Sequence, residues 1–186
     1  MIIEILGVEV NLLAQIIDLL AVAILILSYQ GGRRKYLLFS SLASAFFCAE
    51  SVVLFAYPNV VCNLVTIVRN LSILYCDKRK IKFPVYAVIL TLIPIIAVGI
   101  YMFLLGDYMS VLPSIAALLF TYISLQKNIY MLKIGALIAE LCYLVYNFYI
   151  GAYVGVIRQV VVVGSVIVAL VNVIKLNKVK GGKNEN

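Results

Sequence analysis

The chain of 186 residues contains no histidine and no tryptophan, and only 12% of its residues are charged. Each shortage removes a class of function. Without histidine the chain lacks the usual acid–base group of enzymes and the usual imidazole ligand for metals. The charged share is about half that of a soluble domain, while 65% of residues are hydrophobic. So little polar surface does not cover a water-soluble fold. A polytopic membrane protein needs less, because lipid meets its outer face. The four cysteines, Cys48, Cys62, Cys76 and Cys142, show no CxxC spacing and fall in or at the ends of apolar runs. They read as small packing residues. HExxH, GxSxG and a Gly-rich phosphate loop are all missing. The expectation is a protein that is not an enzyme and takes no metal and no cofactor.

What the chain has instead is long apolar runs. A spanning helix needs about 20 mostly apolar residues. Seven stretches fit, at about 12–30, 36–57, 59–76, 83–105, 109–126, 130–150 and 153–174. The breaks have local causes. Gly31 to Lys35 ends the first helix, and Tyr57-Pro58-Asn59 turns the second into the third. Asp77 to Lys82 ends the third, with Pro84 suited to the opening turn of the fourth. Gly106-Asp107 ends the fourth, Pro113 suits the start of the fifth, and Gly151 separates the sixth from the seventh. The N-terminal MIIEILGVEVN carries Glu4 and Glu9 and no basic residue, unlike a secretory leader, so the first apolar run reads as a retained helix. Residues 178–186 read as a disordered cytoplasmic tail.

The net charge of +7 is organised by these breaks. Thirteen of the fifteen basic residues follow odd-numbered helices, and the other connections hold none. Lys127 and Lys133 bracket the turn after the fifth helix in this reading. With seven helices all thirteen lie on one side, which the positive-inside rule makes the cytoplasm. The N-terminus is then outside and the C-terminus inside. Basic clusters between apolar runs, without an interleaved aromatic surface, also exclude a nucleic-acid partner. The bilayer is the expected partner, and the sequence leaves the oligomeric state open.

An internal repeat is suggested at an offset of 96 residues. Ser28-Tyr29-Gln30 pairs with Ser124-Leu125-Gln126, and Asn63 with Gln159. Three helices, a linker and three helices give two repeats of like orientation, related by an axis along the membrane normal. The expected fold is therefore all-α, with 1–82 as one three-helix bundle, 83–108 as the linker helix and 109–177 as the second bundle.

Five charged residues fall inside the helices: Asp18, Glu50, Arg69, Glu140 and Arg158. A charge at bilayer depth costs at least about 2.5–3.5 kcal/mol, so each needs a partner or water. Counted from the outer helix ends, all lie between the outer interface and the midplane, as one polar layer. Glu50 with Arg69 is the expected ion pair in the first half, and Glu140 with Arg158 in the second, with Asp18 left to pair with either arginine or to sit near outer water. Asn63, Thr66 and Asn70 form a stripe at i, i+3 and i+7, with Arg69 at its border. Glu140, Tyr143 and Asn147 repeat the pattern on the sixth helix, and Arg158, Val162 and Ser165, with Gln159 beside them, on the seventh. Such polar groups serve either as helix–helix glue, at about 0.6 kcal/mol each, or as the lining of a solute path.

Asn63-Leu-Val-Thr-Ile-Val-Arg-Asn70, Tyr146-Asn147 and the Gly151-Ala-Tyr-Val-Gly155 turn resemble the YgjV family of bacterial inner-membrane proteins, over nearly the whole chain. More distantly, the three-plus-one-plus-three plan resembles the SWEET, PnuC and PQ-loop group of small-solute transporters. That resemblance implies a bending Pro-Gln pair where Gln30 and Gln126 stand, yet Tyr29 and Leu125 replace the proline. It also implies a substrate asparagine at Asn63 or Asn70, with Gln159 or Ser165 at the second-half position. The missing tryptophan argues against a sugar substrate. Two functions follow as expectations. One is alternating-access transport of a small polar solute, with Asn63, Asn70, Asn147 and Gln159 as hydrogen-bonding groups. In it Arg69 and Arg158 attract an anionic group or position the acids. The other is a non-transporting sensor or scaffold whose charges are internal locks.

Overall fold

The computed structural model describes the backbone of residues 2–5, 8–106, 108–149, 151 and 153–181. Side chains are described for 12–57, 59–106, 108–109, 111–149, 151 and 155–175. A short antiparallel hairpin, β1 (Ile2–Ile5) with β2 (Val8–Asn11), places Ile2 opposite Asn11 and Ile5 opposite Val8. Seven α-helices follow: α1 (Leu12–Gln30), α2 (Arg33–Val53), α3 (Tyr57–Arg79), α4 (Val85–Leu104), α5 (Val111–Ser124), α6 (Ile129–Tyr149) and α7 (Tyr153–Gly181). A 3₁₀ turn at Tyr108–Ser110 leads into α5.

Six of these helices, all but α5, are long and apolar enough to cross a membrane. Helix α5 has only 14 residues, about 21 Å against a hydrocarbon core of about 30 Å. The expected 109–126 helix is thus shortened at both ends. Residues 108–110 wind more tightly as the 3₁₀ turn. At the other end Arg33 Nη1 donates to the carbonyl of Gln126, and Asn128 Oδ1 accepts the Tyr130 N–H at 2.9 Å to open α6. Two further boundaries move. Arg33 to Lys35 are the first turn of α2 rather than a loop, and Asp77 to Arg79 are the last turn of α3. Arg33 Nε and Asp77 Oδ2 then join the two helix ends at 3.1 Å. Helix α7 runs on to Gly181, through part of the stretch expected to be tail. Residues 182–186 of that stretch, and Asp107, lie outside the described residues.

The helix ends show how the sequence sets the turns. Four of them use a left-handed residue. Gly106 (φ 83°) and Gly151 (φ 70°) are the residues suited to it. Phe55 (φ 56°) and Lys80 (φ 59°) occupy the same conformation despite their side chains. At both, the following N–H reaches back five residues: Ala56 to Ser51 at 2.8 Å and Ile81 to Cys76 at 3.0 Å. These bonds satisfy carbonyls that the ending helices leave open.

Each helix packs on its neighbours in sequence, and α1 meets α7, closing a ring. Helix α3 also touches α5 directly. Where α1, α2, α3, α6 and α7 converge, Val22, Tyr29, Tyr36, Leu37, Ile73, Leu132 and Val166 form an apolar core. Small residues let the backbones approach, among them Ala14, Ala21, Ala43 and Gly135. Large apolar side chains such as Leu19, Leu90, Phe148 and Ile157 face outward, where lipid takes the role of a core. An apolar groove between α3 and α4, lined by Val68, Tyr75, Pro84 and Leu90 among others, opens on this outer face.

Candidate functional site

Inside the ring lies a cavity of about 320 Å³ to which all seven helices contribute. Its polar lining includes Glu50 from α2, Asn63, Thr66 and Arg69 from α3, Glu140, Tyr143 and Asn147 from α6, and Arg158 and Gln159 from α7. Nearly every charged or amide residue singled out in the sequence therefore meets in one void. Two do not line it. Asn70 is fully buried behind Arg69, and Asp18 is buried beside Arg158.

Neither expected glutamate–arginine pair forms, while Asp18 takes one of the partners left open to it. Arg158 forms its ion pair with Asp18 of α1, across the closing seam of the ring, and not with Glu140. The Arg158 guanidinium carbon also sits 5.9 Å from the centre of the Phe47 ring. Glu140 instead accepts hydrogen bonds from the Tyr29 hydroxyl and the Gln159 amide. Gln159 donates as well to the Glu140 carbonyl at 3.1 Å, which ties α7 to α6. Glu50 is not paired with Arg69, but lies within electrostatic reach of Asp18 and Arg158. The reason is the ring. Sequential adjacency suggested partners on neighbouring helices, while the seam brings helices 140 residues apart into contact.

Arg69 is 1% exposed and sits among neutral partners. Its Nε and Nη2 both donate to Asn70 Oδ1, at 3.2 and 3.1 Å, and Nη1 donates to Thr121 Oγ1 of α5 at 2.7 Å. The Phe120 ring lies 5.0 Å from the guanidinium carbon, a cation–π distance. Asn70 Nδ2 in turn reaches Ser40 Oγ of α2 at 3.4 Å.

Other candidates face their own helix. Asn63 donates to the Asn59 carbonyl at 2.9 Å and Thr66 to the Cys62 carbonyl at 2.9 Å, though both border the void. Gln30 Nε2 donates to Ser165 Oγ at 3.1 Å, linking α1 to α7. Among the described residues no three acids or cysteines gather as a metal site.

The model of one family, described as "Bacterial inner membrane protein" and designated Imp-YgjV, matches residues 12–177. The chain belongs to the YgjV family. It is therefore a multi-pass protein of the bacterial inner membrane, and its outward apolar side chains contact the bilayer. Searches of curated proteins and of solved structures give no match. The match to YgjV spans all seven helices, so the cavity and its lining lie wholly within the family's common region.

Several site residues carry no signal in composition. Tyr29, Phe120 and Thr121 are ordinary in apolar runs, and only Tyr29 stood in a noted motif. Lys133, expected to bracket the turn after the fifth helix, lies within α6, is 3% exposed, and donates from Nζ to the Ala169 carbonyl of α7 at 3.2 Å. A lysine four residues into a helix reads in sequence like one at its edge.

Proposed function

We propose that this inner-membrane protein carries a small polar solute across the bilayer by alternating exposure of the central cavity. One observation carries the reading: Glu50, Asn63, Arg69, Glu140, Asn147, Arg158 and Gln159 surround a single shared void. Charges used only as locks have no reason to border a common space. The two halves, α1–α3 and α5–α7, touch along α1·α7 and along α3·α5. Movement at these seams would open the void to either side. The proposed repeat draws support from the seams themselves, since exchanging α1 with α5 and α3 with α7 turns the α1·α7 contact into the α3·α5 contact.

In this reading the halves are two three-helix bundles about α4, similar in plan to the SWEET group. The N-terminus faces out and the C-terminus faces the cytoplasm. Asn63, Asn147 and Gln159 offer hydrogen bonds to the solute, and Glu50 or Glu140 takes up a coupling proton. No covalent chemistry is assigned to the protein. The rival reading, a sensor or scaffold, draws on the direct Asp18–Arg158 pair, which does lock two helices. A panel of small polar solutes, read by thermal unfolding of purified protein and by uptake into proteoliposomes, decides between them. A carrier gives at least one solute that both stabilises and accumulates. Uptake equal to that of empty liposomes for every solute refutes transport.

A further inference from the structure

We infer that the cavity's solute is a small oxyanion, a carboxylate or a phosphate, and that Arg69 is the group that holds it. The inference rests on the transport reading only for what the bound anion is used for. Arg69 is buried at the cavity wall, and its recorded hydrogen bonds leave one N–H on each terminal nitrogen without an acceptor among the described residues. Among the described residues no carboxylate forms an ion pair with it. Asp18 is committed to Arg158, and Glu140 to Tyr29 and Gln159. Arg69 is thus a buried cation with no counter-ion among the described residues, a state that is costly unless a ligand completes it.

Asn70 is the second, independent sign. Its Oδ1 alone accepts from Nε and Nη2 together, on the side of the guanidinium where a carboxylate would place its two oxygens. An aspartate there would fit the same space and neutralise the charge. The chain places an amide instead, which holds the guanidinium in position and leaves its charge for another group. A guanidinium at the wall of the void with N–H groups to spare suits the oxygens of a carboxylate or phosphate. A void of about 320 Å³ limits the solute to a small one.

The test uses purified full-length protein in sodium acetate, sodium phosphate and sodium chloride at matched ionic strength. Acetate or phosphate should raise the melting temperature saturably, on the order of 5 °C at saturation. Asn70→Asp should remove that rise while melting, without anion, no lower than wild type. Arg69→Gln should remove it too, and Asn70→Asp keeps the test valid if Arg69→Gln does not fold. The inference is overturned if chloride acts as strongly as either oxyanion, or if Asn70→Asp keeps the response. It also fails if only neutral solutes stabilise wild type, an outcome that leaves transport standing. Conversely, an oxyanion that stabilises but is not taken up by proteoliposomes supports the site and removes the transport reading.

Discussion

Two glycines in mid-helix predict opposite outcomes for the same substitution. A Cβ on Gly135 of α6 would stand 2.4 Å from Ile123 Cδ1, 2.7 Å from its Cγ2 and 2.9 Å from its Cβ. Rotation of Ile123 can move the first two atoms but not the third. Helices α5 and α6 must therefore separate by about half an ångström before ordinary contact is restored. Overpacking of this kind costs about 1–3 kcal/mol, against about 1 kcal/mol gained from replacing glycine in a helix. Gly135→Ala should lose up to about 2 kcal/mol. Gly164 of α7 has nothing within 4 Å of the same position, so Gly164→Ala keeps the propensity gain of up to about 1 kcal/mol. For a chain of this size the two variants should differ by about 5–10 °C in melting temperature on either side of wild type. Thermal unfolding in detergent measures this. Adding Ile123→Ala to Gly135→Ala should recover part of the loss, because it removes two of the three clashing atoms. Equal melting of the two glycine variants, or strict additivity of the double mutant, refutes the close approach.

The Asp18–Arg158 pair holds the α1–α7 seam. Arg158→Met alone should cost about 3 kcal/mol, because it leaves Asp18 buried without its counter-ion, and Asp18→Asn in the same chain should restore part of it. A double mutant that melts at the sum of the single losses contradicts a direct pair. Lys133→Met keeps the buried alkyl stem and removes only the ammonium that donates to Ala169. It should be neutral or stabilising by about 1 kcal/mol. A loss above about 2 kcal/mol in chemical unfolding would show that the charge itself supports the α6–α7 contact.

The helices were legible because a span is written as an uninterrupted count of apolar residues. Gly106 and Gly151 marked two ends correctly, since only a residue without Cβ is at ease there. Phe55 hid the end of α2, because a left-handed phenylalanine carries no such mark, and the turn came three residues before Pro58. Alternation in Ile2–Ile5 and Val8–Asn11 around Gly7 did carry a hairpin signal, overshadowed by the apolar run that follows. The polar layer was legible as a set, because charges in apolar runs are few. Its partners were not. Depth along a helix follows from counting, but rotation about the axis and the order of helices in the ring do not. Hence Tyr29 to Glu140 and Asp18 to Arg158, contacts 111 and 140 residues apart, could not be chosen over pairs on adjacent helices.

The closing of the ring by α1 and α7 also sets an order of events during synthesis. Helix α1 is threaded into the bilayer early, with Asp18 already at depth, yet its partner Arg158 is among the last residues to arrive. Tyr29 and Gln30 wait likewise for Glu140 and Ser165. Until then the acid and the amide of the first helix are without the partners they have in the finished fold. The cavity cannot exist in a partly made protein, so the arrival of α7 completes the fold and the site in a single step.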